Sequence, residues 1–122
     1  MYLISVEQSF DAAHYLRGYK GKCENIHGHR FKIVVRLQSD RLNDNGMAYD
    51  FTLLKQQLTK VLNRYDHQNL NEISPFDRIN PSSENIASTI YEQLKPIFQD
   101  EVQLESVEVW ESPDACAIYY PG

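Results

Sequence analysis

The sequence lacks the features that mark several large classes of protein. No apolar run approaches the roughly 20 residues that a membrane-spanning helix requires. The N-terminal segment has no basic start followed by an apolar stretch, so we expect no secretory signal. There are only 2 cysteines. Without a secretory signal they are predicted to be reduced thiols in a cytoplasmic protein rather than a disulfide.

Positive charge is also scarce. The chain has 12 Lys and Arg against 17 Asp and Glu, a net charge of −5, and its cations form no basic stripe. Because contacts to phosphate dominate affinity for nucleic acids, we expect no nucleic acid partner. The hydrophobic content of 42% and charged content of 24% are typical of a globular protein. At 122 residues, we predict one domain spanning residues 1–122.

Hydrophobic periodicity predicts the element order β-β-α-α-β-β. The predicted strands cover residues 2–14, 27–38, 102–111 and 115–120. The first helix is expected over about 51–64 with Asp50 as its N-cap, and the second begins near Ser82 or Ser83, with Pro96 limiting its length. This order predicts an α+β domain in which two helices cover one face of an antiparallel four-stranded sheet. Because the other face and the edges stay uncovered, we expect oligomerisation.

Two of the 4 histidines lie two residues apart in the segment Cys23-Glu24-Asn25-Ile26-His27-Gly28-His29. Residues i and i+2 of a strand point to the same face, so both imidazoles should project together. His14 has the parity of the apolar residues of the first strand, and antiparallel pairing of the first two strands can bring it beside that pair. Three histidines with an open fourth position form a catalytic zinc arrangement. The alternatives are structural histidines, or a structural zinc with a fourth protein ligand.

The remaining reactive side chains have open interpretations on pattern alone. Cys23 is either a small buried residue or a thiolate that serves as metal ligand, nucleophile or proton acceptor. Asp66 and His67 are either the polar end of a helix or a pair of side chains that interact directly in the site. Glu111 is either a solvated residue at the end of a strand or a ligand-binding residue. In the second case its two carboxylate oxygens would accept hydrogen bonds from the two parallel N–H donors at the edge of an amino-pyrimidinone. Cys116 is expected in the core.

Six motifs occur in this chain in the order of the 6-pyruvoyltetrahydropterin synthase superfamily, which the chain resembles over nearly its whole length. They are Phe10-Asp11-Ala12-Ala13-His14, Cys23-x-x-x-His27-Gly28-His29, Tyr49-Asp50-Phe51, Asp66-His67-x-x-Leu70-Asn71, Pro81-Ser82-Ser83-Glu84-Asn85-Ile86-Ala87 and Trp110-Glu111. The short Cys-x-x-x-His-Gly-His spacing and the compact length resemble most the 6-carboxytetrahydropterin synthase branch of the queuosine pathway. Ser83 and Ser112 stand where many relatives have threonine, which keeps a hydroxyl at both positions.

The resemblance implies a tunnelling fold, in which trimers close sheets into barrels that stack as homohexamers with active sites between subunits. It implies that His14, His27 and His29 hold Zn²⁺. Cys23 would be the general base, with Asp66 and His67 as its relay. Glu111 would anchor the pterin ring in a pocket lined by Ser82, Ser83 and Glu84.

The implied reaction converts 7,8-dihydroneopterin triphosphate and water to 6-carboxy-5,6,7,8-tetrahydropterin, acetaldehyde and triphosphate. The alternatives are the 6-pyruvoyltetrahydropterin synthase of the biopterin pathway and a non-catalytic pterin- or purine-binding member. A further branch replaces the cysteine by glutamate and cleaves dihydroneopterin as an aldolase, but Cys23 keeps its position beside Glu24. Separately, the basic loop suggests that Arg17, Lys20 and Lys22 receive the triphosphate.

Overall fold

The computed structural model describes residues 1–19, 21, 25–98 and 102–122. The predicted element order is confirmed, with one short strand added between the helices. The elements are β1 (Tyr2–His14), β2 (His27–Ser39), α1 (Phe51–Leu62), β3 (Gln68–Asn69), α2 (Ser83–Leu94), β4 (Gln103–Ser112) and β5 (Ala115–Tyr119). Short 3-10 helices follow β3 over Leu70–Glu72 and α2 over Lys95–Ile97.

A five-stranded sheet in the order β3-β1-β2-β4-β5 forms the centre of the fold. β1 pairs antiparallel with β2 along its whole length, from Tyr2 opposite Ser39 to His14 opposite His27. β4 pairs antiparallel with both β2 and β5, whereas β3 runs parallel to β1. The predicted strand number is therefore corrected from four to five. Two residues carry no hydrophobic period, so β3 depends on the approach of the chain to β1 rather than on its own sequence.

Side-chain caps define where both helices begin. Asp50 accepts a hydrogen bond from the backbone N–H of Thr52 at 2.8 Å, as predicted for an N-cap. Ser82 accepts one from the N–H of Asn85 at 3.1 Å and caps α2 in the same way. Each cap satisfies a backbone donor that the helix itself leaves unpaired.

The core lies between the two helices and one face of the sheet. In β2, the odd-numbered residues from Phe31 to Ser39 are buried and alternate with half-buried ones, which is the predicted parity. The helices contribute Leu54, Leu58 and Leu62 from α1 and Ile86, Ile90 and Leu94 from α2. His14 ends the buried row of β1 and is only 2% exposed. The apolar face therefore carries a histidine at the end of the sheet where β1 finishes.

The opposite face of the sheet carries a polar network. Arg36 forms an ion pair with Glu108, and Trp110 Nε1 donates a hydrogen bond to Glu108 Oε1 at 2.7 Å. Lys32 Nζ lies 4.8 Å from the centroid of the Trp110 ring. Cys116 pairs with Trp110 across the strands and shares this face, so the prediction that Cys116 is a core residue is wrong. No helix in the described ranges is long and apolar enough to cross a membrane.

The Asp50 cap makes α1 testable by a single substitution. Asp50→Ala removes the acceptor for the Thr52 N–H, so we expect the free energy of unfolding to fall by about 1 kcal/mol in urea denaturation. The matched control is Asp44→Ala, which removes an exposed carboxylate from the turn before α1 and should change stability by less than about 0.5 kcal/mol. Equal losses in the two variants would mean that charge, and not capping, is responsible.

Candidate active site

Three imidazoles converge at one end of the sheet. The β1–β2 register places His14 opposite His27, and Ala12 opposite His29. The ring centroids of His14 and His27 are 4.7 Å apart, those of His27 and His29 4.7 Å, and those of His14 and His29 5.2 Å. The expected juxtaposition of the three side chains is thus observed. It follows from strand alternation on β2 together with the pairing partner of His14.

Backbone carbonyls orient two of these rings. The Nδ1 of His14 lies 2.8 Å from the carbonyl oxygen of Pro81, and the Nδ1 of His27 lies 2.6 Å from that of Asn25. A carbonyl oxygen only accepts hydrogen bonds, so each Nδ1 carries the proton and donates it. In the neutral rings, the Nε2 atoms then keep their lone pairs. Protein carbonyls fix metal-binding histidines in this manner.

Glu111 joins the histidines from β4. Its Oε1 lies 3.0 Å from His14 Nε2 and 3.3 Å from His29 Nε2. The four side chains His14, His27, His29 and Glu111 offer ligand atoms that all lie within 4.8 Å of one another. Sequence reasoning did not connect Glu111 with the histidines. Glu111 has the same parity as the buried Val107 and Val109, which indicates that its side chain lies on the core face. This parity points to the histidines only once β4 is known to pair with β2.

The electrostatics of this four-residue group favour a cation at its centre. Burial lowers the pKa of His14 below its usual value, an effect opposed by the Pro81 hydrogen bond and the charge of Glu111 and reinforced by the two neighbouring histidines. His14 Nε2 is buried without a hydrogen-bond partner among the described residues, although Glu111 Oε1 is close. A neutral Nε2 lone pair and a carboxylate oxygen repel each other unless a positive charge lies between them. The donor set of imidazole nitrogens and one carboxylate fits zinc.

Asp66 and His67 form a different group at the edge of the sheet. Asp66 Oδ1 accepts a hydrogen bond from the Asp11 N–H at 2.9 Å, and the His67 N–H donates to the Asp11 carbonyl at 2.6 Å. His67 Nε2 lies 3.7 Å from Asp66 Oδ2, and the His67 side chain is 76% exposed. His67 has a φ of 59°, in the left-handed region. This turn after α1 allows two adjacent side chains to approach each other, which a continuing helix would prevent.

The structure does not place this pair in the histidine group. Asp11 is out of phase with His14 on β1, so its side chain points to the other face of the sheet. Asp66 and His67 gather with Asp11 within 4.8 Å, as a group of their own. In one chain, the predicted relay and the predicted metal ligands therefore form two distinct groups, although His67 and His29 line one open recess.

The predicted residues at the start of α2 differ in burial and in their distance from the histidine group. Ser82 caps α2 and follows Pro81, whose carbonyl contacts His14, so this segment borders the histidine group. Ser83 is half-buried and Glu84 exposed on the first turn of α2. The predicted general base, Cys23, lies outside the described residues.

The suggestion of a triphosphate site on the basic loop is weakened. The Arg17 guanidinium donates hydrogen bonds to the backbone carbonyls of Asn71, Phe76 and Ile79. These bonds hold its cation against the protein backbone instead of presenting it to a ligand. Lys20 and Lys22 lie outside the described residues.

A recess of about 490 Å³ opens beside Glu111. Its lining combines His29 and Glu111 with residues of the opposite sheet face, among them Lys32 and Trp110. The recess gives a ligand access to the carboxylate of Glu111, whose side chain is 30% exposed. A planar molecule with N–H donors at its edge could therefore reach this carboxylate directly.

Comparison with known proteins identifies the family of this chain. The model of the family described as 6-pyruvoyl tetrahydropterin synthase matches residues 3–122. The 6-carboxy-5,6,7,8-tetrahydropterin synthase of Synechocystis sp. is 38% identical over 98% of this chain and 94% of its own. The protein of that name from Haemophilus influenzae is 32% identical, over 98% of this chain and 99% of its own. The solved structure of Caenorhabditis elegans 6-pyruvoyl tetrahydropterin synthase has a TM-score of 0.84 and 31% identity, covering 100% of this chain and 98% of its own. The chain therefore belongs to the 6-pyruvoyl tetrahydropterin synthase family and has its tunnelling fold.

Proposed function

We propose that this protein is a zinc-dependent 6-carboxy-5,6,7,8-tetrahydropterin synthase of queuosine biosynthesis, acting in the cytoplasm. The observation that carries the proposal is the group of three imidazoles and one carboxylate, of which His29 and Glu111 line an open recess. The reaction takes 7,8-dihydroneopterin triphosphate and water to 6-carboxytetrahydropterin, acetaldehyde and triphosphate. It is a lyase reaction that needs proton transfers at carbon and a binding site for the pterin ring.

His14, His27 and His29 would hold the zinc ion. When bound, zinc supplies a Lewis acid that polarises a substrate oxygen and stabilises developing negative charge. The protein prepares this site by keeping His14 neutral through burial and by directing its Nε2 inward through the Pro81 carbonyl. A neutral imidazole is the form that binds a metal ion.

Glu111 is proposed to anchor the pterin. Its carboxylate borders the recess and is partly exposed, so it can accept two N–H groups from an amino-pyrimidinone edge. Its distance of 3.0 Å from His14 Nε2 also makes it a candidate fourth metal ligand. The anchor role is favoured because a site closed by four protein ligands leaves no open position for a substrate oxygen.

Proton transfer is assigned to Cys23, Asp66 and His67. Cys23 is four residues before His27 in the chain, and as a thiolate it would take a proton from a substrate carbon. Asp66 would orient the imidazole of His67, which then receives or returns protons. Because the Asp66–His67 pair is separate from the histidine group in one chain, it would complete the active site of a neighbouring copy. The homohexamer expected from the family resemblance provides such neighbours, and the exposure of His67 supports this arrangement.

The same scaffold supports a second candidate, a 6-pyruvoyltetrahydropterin synthase. The Haemophilus relative and the nematode structure differ from this chain by nearly the same extent, yet they carry different activity names. Both chemistries require a pterin anchor and a proton shuttle. Product identity therefore decides between them.

Product analysis tests the proposed reaction. Zinc-loaded protein incubated with dihydroneopterin triphosphate should yield 6-carboxytetrahydropterin and acetaldehyde, identified by mass spectrometry. Cys23→Ala should lower kcat by at least about 100-fold, since removal of a general base typically costs 10²–10⁴. A pyruvoyl product would assign the protein to the biopterin branch, and a product from aldol cleavage to the aldolase branch. No turnover by the unmodified protein would leave a pterin-binding module.

Metal binding tests the ligand set separately from turnover. We predict one zinc ion per chain, measured by metal analysis after dialysis, and its loss or strong weakening in His29→Ala. His67→Ala removes the fourth histidine of the chain and should leave metal affinity unchanged. Equal loss of metal in both variants would contradict the assigned ligands.

Glu111→Gln separates the two roles of this carboxylate. If Glu111 anchors the pterin, KM should rise roughly 10- to 100-fold, the equivalent of about 1.5–3 kcal/mol for hydrogen bonds to a charged group. Zinc affinity should stay within a few-fold of the original. The reverse result, zinc lost with the KM of reconstituted protein little changed, would make Glu111 a metal ligand and remove the anchor from the proposal.

A further inference from the structure

We infer that Arg17 is a positioning residue for the metal centre, which holds residues 71–81 so that the Pro81 carbonyl fixes the ring of His14. The inference rests on the proposed zinc site and adds to it a residue that touches neither metal nor substrate. It follows from an unbroken chain of hydrogen bonds between two segments. One segment is the loop after β1, and the other leads into α2.

The first link is the Arg17 side chain. Its Nη2 donates to the carbonyl of Phe76 at 2.8 Å and to that of Asn71 at 3.2 Å, while Nη1 donates to the carbonyl of Ile79 at 3.3 Å. One guanidinium thus joins three carbonyls from different parts of the 71–81 segment. Such a fan of contacts uses the fixed planar fork of arginine, which the single ammonium of lysine cannot reproduce.

The second link is a pair of asparagines. Asn71 Oδ1 accepts from the Tyr15 N–H at 2.9 Å, and its Nδ2 donates to the Tyr15 carbonyl at 3.0 Å. Asn80 makes the same two bonds with the backbone of Arg17, at 2.9 Å and 3.0 Å. Each amide side chain therefore pairs with both the N–H and the carbonyl of one loop residue, as the backbone of a neighbouring strand would. Together with the guanidinium, these bonds define the latch, formed by Arg17, Asn71 and Asn80.

The third link connects the latch to the histidine. The hydrogen bond from His14 Nδ1 to the Pro81 carbonyl joins two residues whose chain neighbours belong to or are bound by the latch. Tyr15, which follows His14, is bound by Asn71, and Asn80, which precedes Pro81, is itself part of the latch. Proline has no backbone N–H, so Pro81 cannot be held by a donor of its own. Its carbonyl position depends on Asn80 before it and on the α2 cap after it. Asn85 Nδ2 donates to the Asn80 carbonyl at 2.8 Å and closes this side.

The consequence for metal binding is geometric. His14 presents Nε2 to the centre of the site only while Nδ1 donates to Pro81. If the 71–81 segment shifts, the neutral ring can adopt the other tautomer and lose its inward lone pair. Removal of partners that orient metal-binding histidines typically costs 10- to 100-fold in metal affinity.

The test compares two arginines that donate to carbonyls of the same segment. Arg17→Met keeps much of the side-chain volume and removes the donors. The matched control is Arg64→Met, because Arg64 Nη2 donates to the Ser74 carbonyl at 3.1 Å, a bond outside the latch. Zinc affinity of the apo proteins is measured by chelator competition, beside the melting temperature. We expect roughly 10- to 100-fold weaker binding in Arg17→Met and an unchanged affinity in Arg64→Met.

Two further readouts separate positioning from charge and from general loss of structure. Arg17→Lys keeps the charge but not the fan of contacts, so it should not restore affinity. Nitrogen-15 NMR of the His14 ring in the apo protein should show a protonated Nδ1 in the unmodified chain and a mixture of tautomers in Arg17→Met. Asn80→Asp keeps the acceptor for the Arg17 N–H and removes the donor, and it replaces Arg17→Met if that variant does not fold.

The outcomes are distinct for the two proposals. Unmodified protein that binds no zinc would overturn the metal site, and the role of the latch with it. Zinc bound equally by the unmodified chain and Arg17→Met, with an unchanged His14 tautomer, would overturn the latch and leave the metal site in place. Full recovery of affinity in Arg17→Lys would also overturn it, because charge alone would then suffice.

Discussion

The antiparallel register of β1 and β2 is the constraint on which this structure depends. It places His14 opposite His27, with His29 two residues further on the same face. The buried row that continues from these histidines through Phe31, Ile33 and Val35 holds that register, because a shift of one residue would turn the whole apolar row to the other face. The core of the domain and the geometry of the candidate metal centre are therefore maintained by the same pairing.

Burial of His14 has a cost that the surrounding groups reduce only in part. Its Nδ1 is satisfied by the Pro81 carbonyl, whereas its Nε2 faces a carboxylate without a hydrogen bond. A buried polar atom left unpaired typically costs about 1–3 kcal/mol. A cation bound by the three imidazoles would remove this cost, because it would take up the Nε2 lone pair of His14. Occupancy of the proposed metal site would thus be coupled to the folding energetics of this end of the sheet.

The described residues divide the expected catalytic groups between two places. The histidines and Glu111 lie at one end of the core face, and Asp66 and His67 lie with Asp11 on the other side of the first strand. An assembly of several copies, as we propose, would let one chain complete the site of another. The uncovered sheet face, with its Arg36–Glu108 ion pair and the Trp110 ring, would then adjoin neighbouring chains.

Local sequence determined the order of the two helices and of every strand except β3, the helix caps at Asp50 and Ser82, the shared face of His27 and His29, and the parity of His14. Each of these depends on the period of one element or on its first turn, which the chain carries in itself. Only the tertiary structure decided that Glu111 joins the histidines and that Asp66 and His67 form a group of their own. It also decided that Cys116 is exposed and that Arg17 donates hydrogen bonds to a segment far away in the sequence. Those outcomes depend on which strands become neighbours and where loops cross, and contacts between residues far apart in sequence leave no periodic signal.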